Sequence, residues 1–303
     1  MSKKTELQLK ITTLLPGLDL RCDEPMAKHT SFRIGGPAEV MAFPRNREEL
    51  AQLLNTSSLL DCKTAILGAG TNVLAPDEGI SGLVICLKDC MGGMEQVDDT
   101  TIRIGAGITM SRAAVFAAGL NLSGLEFAHG IPGTVGGGVY MNAGAYGGEI
   151  CQVCECVDVM YPDGSIRTLT NAEMEFSYRH SRLEREGGIV LSAVFRLTPK
   201  PEAEVRETMR QLMSKRSASQ PLDLPSAGSA FKRPVGGYAA ALIDQTGLKG
   251  YAIGGAAVSE KHAGFVVNIG GATAADVRKL LQSVSDQVFD RTGIRLEPEV
   301  RIW

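Results

Sequence analysis

The chain has 303 residues, 44% of them hydrophobic, and a formal net charge of −3. This length allows two or three domains or one large one, and the interspersed charges leave no basic face for a nucleic acid. No apolar run approaches the roughly 18 residues that a membrane span needs, and the N-terminus lacks a signal peptide's apolar segment, so the cysteines are expected to be reduced thiols in a cytoplasm.

Residues 38–88 show the alternating strand and helix patterns of a small α/β subdomain. "EVMAFP", "TAILGAG" and "GLVICLK" are predicted strands, because short apolar runs end at glycine or proline. "NREELAQLLN" is a predicted helix with Asn46 as its cap and Leu50, Leu53 and Leu54 on one face.

A second region, from about residue 94 to 200, combines strands with two helical signals. "TIRIGAG" and "GGIVLSAVFRLTP" are predicted strands, and 157–169 is a predicted hairpin with Asp163-Gly164 in its turn. "SRAAVFAAGL" predicts a helix from Ser111 to Gly119. A short helix is expected from Thr170, because Glu173 would complete a capping box.

The sequence of the last hundred residues predicts two helices and a final strand. "AEVRETMRQLMSKRSAS" predicts a polar helix, and "TAADVRKLLQSVSDQVFDRTGI" (273–294) predicts a second one. The apolar stripe of this second helix comprises Val277, Leu280, Leu281, Val284 and Val288. The final stretch, "GIRLEPEVRIW", alternates with period two, which predicts a strand with Glu297 and Glu299 on its polar side.

Two glycine-rich segments are candidates for ligand binding. "LGAGTNVL" (67–74) follows a strand, but Val73 replaces the third glycine of a dinucleotide loop, and no Gly-Lys-Ser/Thr is present. It either offers backbone N–H groups, Thr71 and Asn72 to a pyrophosphate or forms a simple tight turn. "GLEFAHGIPGTVGGGVYMNAGAYGGE" (124–149) has too many apolar residues for a flexible linker, which favours a bound cofactor with phosphates and a flat ring.

Two features near these segments have competing interpretations. His129 could anchor a flavin covalently, but a hydrogen-bonded histidine in a turn is the favoured reading. "CQVCEC" (151–156) lacks a second pair of soft ligands, so strand cysteines are favoured over a metal site.

Taken together, the motifs resemble one enzyme family. "HTSFRIGGPAEV", "LGAGTNVL", the glycine segment 124–149, "FSYRHSRL", "PSAGSAFKRP", "KHAGFVVNIGGATAADV" and "LEPEVRIW" occur in the order found in UDP-N-acetylenolpyruvoylglucosamine reductases. The similarity runs from about residue 25 to the end. The short distance between "FSYRHS" and "PSAGSAFKRP" resembles the smaller, type II form. Gly138, where alanine is common, and Ser219, where a lysine often stands, depart from the family pattern.

The resemblance implies an α+β fold. It would consist of the two-subdomain FAD-binding fold of the vanillyl-alcohol-oxidase (PCMH) type, followed by a smaller α+β substrate-binding domain. The expected divisions are an N-terminal helical segment (1–24), FAD-binding subdomains 25–93 and 94–200, and a substrate-binding domain at 201–303.

The resemblance also implies an activity: NADPH-dependent, FAD-mediated reduction of a UDP-linked enolpyruvyl sugar to UDP-N-acetylmuramate for peptidoglycan synthesis. FAD would be bound non-covalently and NADPH would donate hydride. The expected protein is a cytoplasmic monomer or weak oligomer without nucleic-acid, membrane or metal partners. The alternatives are a sugar or lactone oxidase of the same FAD fold and a non-catalytic nucleotide-binding protein.

Three residues are the catalytic candidates. By the resemblance, Arg179 would meet the substrate's carboxylate, although by itself it could be a surface arginine. Glu299 would be the acidic member of the site, although a solvated strand face also explains it. Ser229 is interpreted as a proton donor, because "AGSAF" lacks the nucleophile elbow and the reaction transfers no acyl group.

The remaining site residues come from the matching motifs. The cofactor-binding candidates are Gly68, Ala69, Gly70, Thr71, Asn72, Ile131, Pro132, Gly133, Thr134, Gly136, Gly137, Asn142, Gly144 and Ala145. The substrate-binding candidates are Tyr178, Arg216, Gln220 and Lys232.

Overall fold

A computed structural model describes residues 6–303. By contact the chain divides into two compact units. Unit 1 contains the residues up to Cys22 together with Val40–Ala69 and Gly82–Lys215, and unit 2 contains Asp23–Glu39, Gly70–Ser81 and Arg216–Trp303. The predicted domains, which are continuous stretches of chain, stay a prediction.

The helices and strands of the described residues follow the chain in this order. The helices are α1 (Glu6–Leu14), α2 (Arg47–Leu59), α3 (Met110–Gly119), α4 (Val135–Tyr140), α5 (Leu183–Glu186), α6 (Glu202–Ser219), α7 (Ala239–Gln245) and α8 (Ala274–Thr292). The strands are β1 (Asp19–Pro25), β2 (Pro37–Phe43), β3 (Thr64–Leu67), β4 (Val73–Leu74), β5 (Ile80–Cys86), β6 (Met94–Gln96), β7 (Thr101–Gly105), β8 (Leu122–Ser123), β9 (Gly144–Ala145), β10 (Gly148–Glu149), β11 (Cys154–Met160), β12 (Ile166–Thr170), β13 (Ile189–Arg196), β14 (Thr198–Pro199), β15 (Ser226–Ser229), β16 (Ala252–Ile253), β17 (Ala256–Val258), β18 (Phe265–Asn268) and β19 (Arg301–Ile302).

Unit 1 holds a five-stranded antiparallel sheet in the order β12-β11-β13-β7-β6. One face is apolar: Ile102, Ile104, Val157 and Phe195 are buried in one core with the alanines of α3. The hairpin predicted at 157–169 is confirmed as β11 and β12. This sheet and α3 form the support on which the glycine segment lies.

A second sheet, in the order β1-β2-β5-β3, lies largely in unit 1. Helix α2 covers it with Leu50, Leu53 and Leu54, the face that the sequence predicts. The side chain of Asn46 accepts the N–H of Glu49 at 2.9 Å, so the predicted cap is also confirmed. Local capping and periodicity therefore suffice to define this element.

Unit 2 contains a four-stranded sheet in the order β15-β18-β17-β16 and the long helix α8. All five residues of the predicted apolar stripe on α8 are buried in its core. That core also includes Phe32, Ile34 and Leu74 from two earlier segments of the chain. The carboxylate of Asp77 accepts the N–H groups of Ala274 and Ala275 at 2.7 and 2.9 Å, so the segment 70–81 caps α8.

Several local predictions are wrong or incomplete. The residues after Thr170 form a turn, although Thr170 and Glu173 exchange capping hydrogen bonds. Helix α3 begins one residue before Ser111 and is capped by Thr109. Only Arg301–Ile302 of the final alternating stretch is a strand. Helix α4, inside the glycine segment, is absent from the sequence prediction because its three glycines disfavour a helix.

The cysteines follow the favoured interpretation. Cys154 and Cys156 lie on strand β11, and Cys151 lies in the 3₁₀ turn before it. Burial raises the pKa of the Cys154 thiol to about 12, so this group stays protonated. Among the described residues, no group of three or more His, Cys, Asp and Glu could hold a metal ion. A search of the same residues finds no helix with the length and apolarity to span a membrane.

Candidate active site

In unit 1 the first glycine loop meets the glycine segment. Gly68 packs closely against Thr134, because a Cβ on Gly68 would lie 3.2 Å from the Thr134 hydroxyl oxygen. Thr134 is buried and caps α4, its hydroxyl accepting the N–H of Gly137 at 3.3 Å. Gly68, Ala69 and the residues around Thr134 are therefore neighbours in space, as the cofactor prediction requires.

The start of the glycine segment is tied to the strand and helix beneath it. Met110 donates its N–H to the carbonyl of Gly133 at 3.0 Å, and Val135 donates to Ile108 at 2.7 Å. A Cβ on Gly136 would lie 2.9 Å from the Cβ of Ala106, closer than packed carbons approach. At this position glycine is needed for helix packing.

Gly138 packs closely against the Met110 side chain. A Cβ at this position would lie 2.7 Å from the sulfur of the buried Met110. The alanine common in the family would therefore require Met110 to move. In this chain the Met110 side chain fills the space that a Cβ at position 138 would need.

Tyr178 and Arg179 form the tip of a tight turn in unit 1. Ser177 and His180 exchange backbone hydrogen bonds, both at 3.1 Å. Arg179 has a left-handed φ of 56° and donates from Nη2 to the carbonyl of Gly144 at 3.1 Å. Its guanidinium carbon lies 5.0 Å from the centre of the Tyr178 ring. The structure thus brings the predicted arginine to the end of the glycine segment.

The two arginines that follow behave differently from Arg179. Arg182 forms an ion pair with Glu186 at 2.6 Å, and Arg185 pairs with Glu175 at 3.1 Å. Such partly exposed pairs are typical of a solvated surface. Arg179 is the member of this charged stretch that contacts the glycine segment through the bond to Gly144.

In unit 2 the structure brings Ser229 and Glu299 onto adjacent segments. Ser229 is exposed at the end of β15, after an irregularity in its pairing with β18 and after Gly228, whose φ is 77°. The next residue, Ala230, donates its N–H to Gly264 at 2.8 Å and accepts the N–H of Glu299 at 2.9 Å. The main chain is held on both sides at this point, while the Ser229 side chain remains accessible.

The second half of the first glycine loop adjoins Glu299. Asn72 donates from Nδ2 to the Glu299 carbonyl at 3.2 Å and accepts the N–H of Arg301 at 2.9 Å. Gly70 has a φ of 63°, and a Cβ there would lie 2.0 Å from the carbonyl oxygen of His29. No other residue fits without a shift of the main chain. In unit 2 a predicted cofactor residue and a predicted catalytic residue are therefore hydrogen-bonded to each other.

Comparison with known proteins identifies the family of this chain. A family model described as UDP-N-acetylenolpyruvoylglucosamine reductase, C-terminal domain, matches residues 220–303, and a model described as FAD binding domain matches residues 38–170. A UDP-N-acetylenolpyruvoylglucosamine reductase of Agathobacter rectalis is 48% identical over 96% of this chain and 96% of the relative. One from Latilactobacillus sakei is 46% identical over 94% of this chain and 93% of the relative. The chain belongs to the UDP-N-acetylenolpyruvoylglucosamine reductase family.

A solved structure supports the fold of this reductase family. The reductase from Thermus caldophilus, whose crystal structure is known, is 34% identical in sequence to this chain and superposes on it with a TM-score of 0.78. The match covers 94% of this chain and 98% of that one. The predicted α+β fold, an FAD-binding part followed by a substrate-binding part, is thereby confirmed, as is the class of FAD-binding oxidoreductase.

The residues of unit 1 fit the FAD of such a reductase. Within residues 6–303, the backbone N–H groups of Gly68, Ala69, Gly133 and Thr134 meet no hydrogen-bond acceptor. Main-chain donors grouped in this way suit phosphate oxygens. His129 is hydrogen-bonded to Ser111 at 3.2 Å at the end of a 3₁₀ turn, which agrees with the favoured reading of this residue.

The substrate-binding candidates differ in how far their polar groups are bonded within the protein. Lys232 pairs with Glu297 at 3.4 Å, with both side chains well exposed. Arg216 is 8% exposed, and its carbonyl accepts the N–H of Gln220 at 2.8 Å. Gln220 is the candidate that lacks a hydrogen bond to its side-chain oxygen, because its buried Oε1 has no partner within the described part of the chain.

His262 is a residue near the reductase site that sequence reasoning missed. Its Nδ1 accepts the N–H of Gly264 at 3.1 Å, and Gly264 in turn accepts the N–H of Ala230, beside Ser229. Burial lowers the pKa of His262, helped by the nearby charge of Lys249. The motif "KHAGF" contributes to the family resemblance, but nothing in a single sequence indicates a role for this ring.

Proposed function

We propose that the chain reduces UDP-N-acetylenolpyruvoylglucosamine to UDP-N-acetylmuramate, a precursor of peptidoglycan, with NADPH as hydride donor and non-covalently bound FAD as carrier. The observation that carries this proposal is the pairing of Ser229 and Glu299 on hydrogen-bonded segments, in a chain 48% identical to a reductase of that name. Gly68, Ala69, Gly133 and Thr134 would hold FAD, which would supply the hydride-carrying chemistry between NADPH and the methylene carbon of the enolpyruvyl group.

Ser229 supplies the proton to the neighbouring carbon. Hydride arrival places negative charge on that carbon and its carboxylate, so a hydroxyl beside it can donate. Ser229 is exposed, whereas Ala227 and Ala230 near it are buried in the core of unit 2, so the motif presents its hydroxyl at the surface. The bonds of Ala230 to Gly264 and Glu299 fix the backbone that presents the hydroxyl.

Glu299 is the acidic group of the site. Its side chain is half-buried, and its main chain is held by Ala230 on one side and Asn72 on the other. These two bonds to different segments fix the backbone that carries this side chain. A carboxyl group held in this way can share or relay a proton with a neighbouring hydroxyl.

Arg179 meets the substrate carboxylate, where charge accumulates. A guanidinium remains charged at all relevant pH values and presents a planar set of donors to two carboxylate oxygens. Tyr178, 45% exposed beside it, is proposed as a wall of the substrate pocket. The cofactor-binding candidates of the two glycine segments are retained as proposed FAD contacts, Asn142 through its main chain, because its side-chain polar atoms bond to Ser177, Glu149 and Cys151.

Arg216, Gln220 and Lys232 are proposed to bind the nucleotide part of the substrate. The exposed pair between Lys232 and Glu297 contributes about 1 kcal/mol or less, so a diphosphate can replace it. We further propose a cytoplasmic monomer or weak oligomer that binds the sugar nucleotide and NADPH and does not use nucleic acid.

The proposal is tested with Ser229→Ala under anaerobic conditions. NADPH is expected to bleach the yellow flavin at the normal rate, because the serine takes no part in hydride transfer to FAD. Return of colour on addition of the enolpyruvyl nucleotide should slow by about 100- to 10,000-fold, the usual contribution of a proton donor. Recolouring at the wild-type rate would contradict the assignment. Reoxidation by oxygen but never by the nucleotide would favour the sugar or lactone oxidase.

A further inference from the structure

The turn that carries Arg179 is attached to the glycine segment at three points. Besides the bond from Arg179 to Gly144, Asn142 donates from Nδ2 to the Ser177 carbonyl at 3.0 Å. Ser181 donates its hydroxyl to the Tyr140 carbonyl at 2.7 Å. Ser177 and Ser181, on either side of Arg179, are thus bonded to Asn142 and Tyr140, and Arg179 itself is bonded to Gly144.

The Asn142 side chain is completely used in this arrangement. It is 2% exposed, and its Oδ1 accepts the N–H of Cys151 at 2.9 Å. One Nδ2 hydrogen goes to Ser177, and the other goes to the carboxylate of Glu149 at 3.2 Å. An amide that is buried and satisfied at both ends fixes the parts it joins, since releasing it would leave polar groups unpaired.

Ser181 has the same character on the other side of the turn. It is fully buried, and its acceptor, the Tyr140 carbonyl, lies in the last turn of α4, where a helix leaves carbonyl groups without internal partners. Its hydroxyl therefore joins the end of this helix to the residues that follow Arg179.

The backbone at both ends of this arrangement is in an unfavourable conformation. Asn142 has a φ of 42° and Arg179 has a φ of 56°, both in the left-handed region. Residues other than glycine remain there only where surrounding contacts hold them, and such residues concentrate at functional sites. The hydrogen bonds of Asn142 and Ser181 are contacts of that kind.

We propose that Asn142 and Ser181 are positioning residues that fix the Arg179 guanidinium for the reaction. This inference rests on the proposed function of Arg179. It assigns to the Asn142 side chain a task distinct from cofactor binding, since its polar atoms are directed at Ser177, Glu149 and Cys151. A displacement of about 1 Å in a charged group can cost roughly 100-fold in rate.

The main test is Asn142→Asp. The change keeps the size of the side chain and the acceptor for Cys151, but it removes both donors and sets a carboxylate against Glu149 and the Ser177 carbonyl. We expect unchanged FAD content and unchanged bleaching by NADPH. Recolouring by the enolpyruvyl nucleotide should slow by about 10- to 100-fold.

Asn171→Asp is the matched control. The amide of Asn171 also donates two hydrogen bonds, to the carbonyls of Cys151 and Cys154 at 2.8 and 2.7 Å, but none to the turn 177–180. It should lower thermal stability to a similar extent and leave recolouring close to wild type. Equal slowing in both variants would reduce Asn142 to a structural residue and overturn the proposal, as would loss of FAD from Asn142→Asp alone.

A double-mutant cycle with Arg179→Ala separates this inference from the function on which it rests. If Asn142 acts through Arg179, adding Asn142→Asp to the Arg179→Ala variant should slow recolouring by less than about twofold more. A full additional loss would overturn the positioning role. Normal recolouring in Arg179→Ala alone would instead overturn the proposed function of the arginine, and the inference with it.

Ser181→Ala provides a second variant if Asn142→Asp folds poorly. It removes one hydrogen bond and one atom, so the fold should persist, and recolouring should slow by about 3- to 10-fold with normal bleaching. The same cycle with Arg179→Ala applies. Wild-type recolouring in Ser181→Ala would remove Ser181 from the proposal.

Discussion

The glycine segment of unit 1 and the serine segment of unit 2 use the chain in opposite ways. Around Thr134 and Asn142 the side chains make internal hydrogen bonds, and we propose that backbone N–H groups such as that of Gly133 bind the cofactor. Around Ser229 and Glu299 the main chain makes internal hydrogen bonds, and the Ser229 side chain is exposed. In the proposed function, the first segment offers its backbone to a cofactor and the second offers its side chains to a substrate.

After that of Ser229→Ala, the largest effect is expected from Glu299→Gln. If the side chain is what the serine segment offers, its loss should slow recolouring by the enolpyruvyl nucleotide by about 100-fold, with FAD content and bleaching intact. Stopped-flow absorbance of the flavin measures both steps. Glu297→Gln is the control, because the side chain of this exposed neighbour pairs with Lys232 and, within residues 6–303, with no other group. A fall of similar size in the control would mean that the charge of the strand matters and not the Glu299 carboxyl.

An intermediate effect is expected from Gly137→Ala. An added Cβ would lie 3.7 Å from the Thr134 hydroxyl, which is ordinary contact, so the change should stabilise α4 by about 0.5–1 kcal/mol. If a ligand approaches the bare backbone here, the affinity for FAD should nevertheless fall roughly tenfold.

Flavin titration of the apoprotein and urea unfolding together test this expectation. Gly119→Ala, at the end of α3 with open space around it, should gain stability without losing affinity. Unchanged FAD affinity in Gly137→Ala would show that the bare backbone serves packing alone.

The smallest effect concerns His262 and pH. Because the folded protein holds the pKa of His262 below its ordinary value of 6.5, the neutral ring is favoured by folding. Below that pH the unfolded chain binds a proton that the folded chain resists, so the free energy of unfolding decreases as pH falls through the folded pKa. Urea unfolding between pH 7.5 and 5.5 should show this loss.

His262→Asn tests whether His262 is the source. Its amide oxygen can accept the N–H of Gly264 without titrating in this range. The variant should therefore lose less stability than wild type over the same pH interval. An identical pH dependence in both proteins would assign the effect to other groups.

Much of the fold follows from local sequence signals, and the exceptions have physical reasons. Asn46 and the leucines of α2 define a helix by themselves, and so does the stripe of α8. Helix α4 could not be predicted, because its stability comes from the Thr134 cap and from close packing against Ala106, not from propensity. Thr170 and Glu173 make capping bonds without a helix, since a cap satisfies groups but supplies no buried face.

The candidate site was predictable as motifs but not as contacts. The glycine loops, Arg179, Ser229 and Glu299 come from motif resemblance, whereas the bond of Asn72 to Glu299 joins residues 227 positions apart. In the sequence, Asn142 is one polar residue in a glycine-rich run. The hydrogen bonds of its side-chain amide are seen only in the structure. Sequence patterns report local geometry, and these pairings depend on long-range closure.

The capping of α8 by Asp77 has a consequence for how the protein is made. Unit 2 draws Phe32, Ile34 and Leu74 from the beginning of the chain, and its final helix is completed near the end. During translation these early apolar residues stay exposed until the residues they pack against are synthesised, some two hundred residues later. A nascent or truncated chain ending near residue 215 would therefore expose them, and we expect chaperone binding or proteolytic attack to concentrate there.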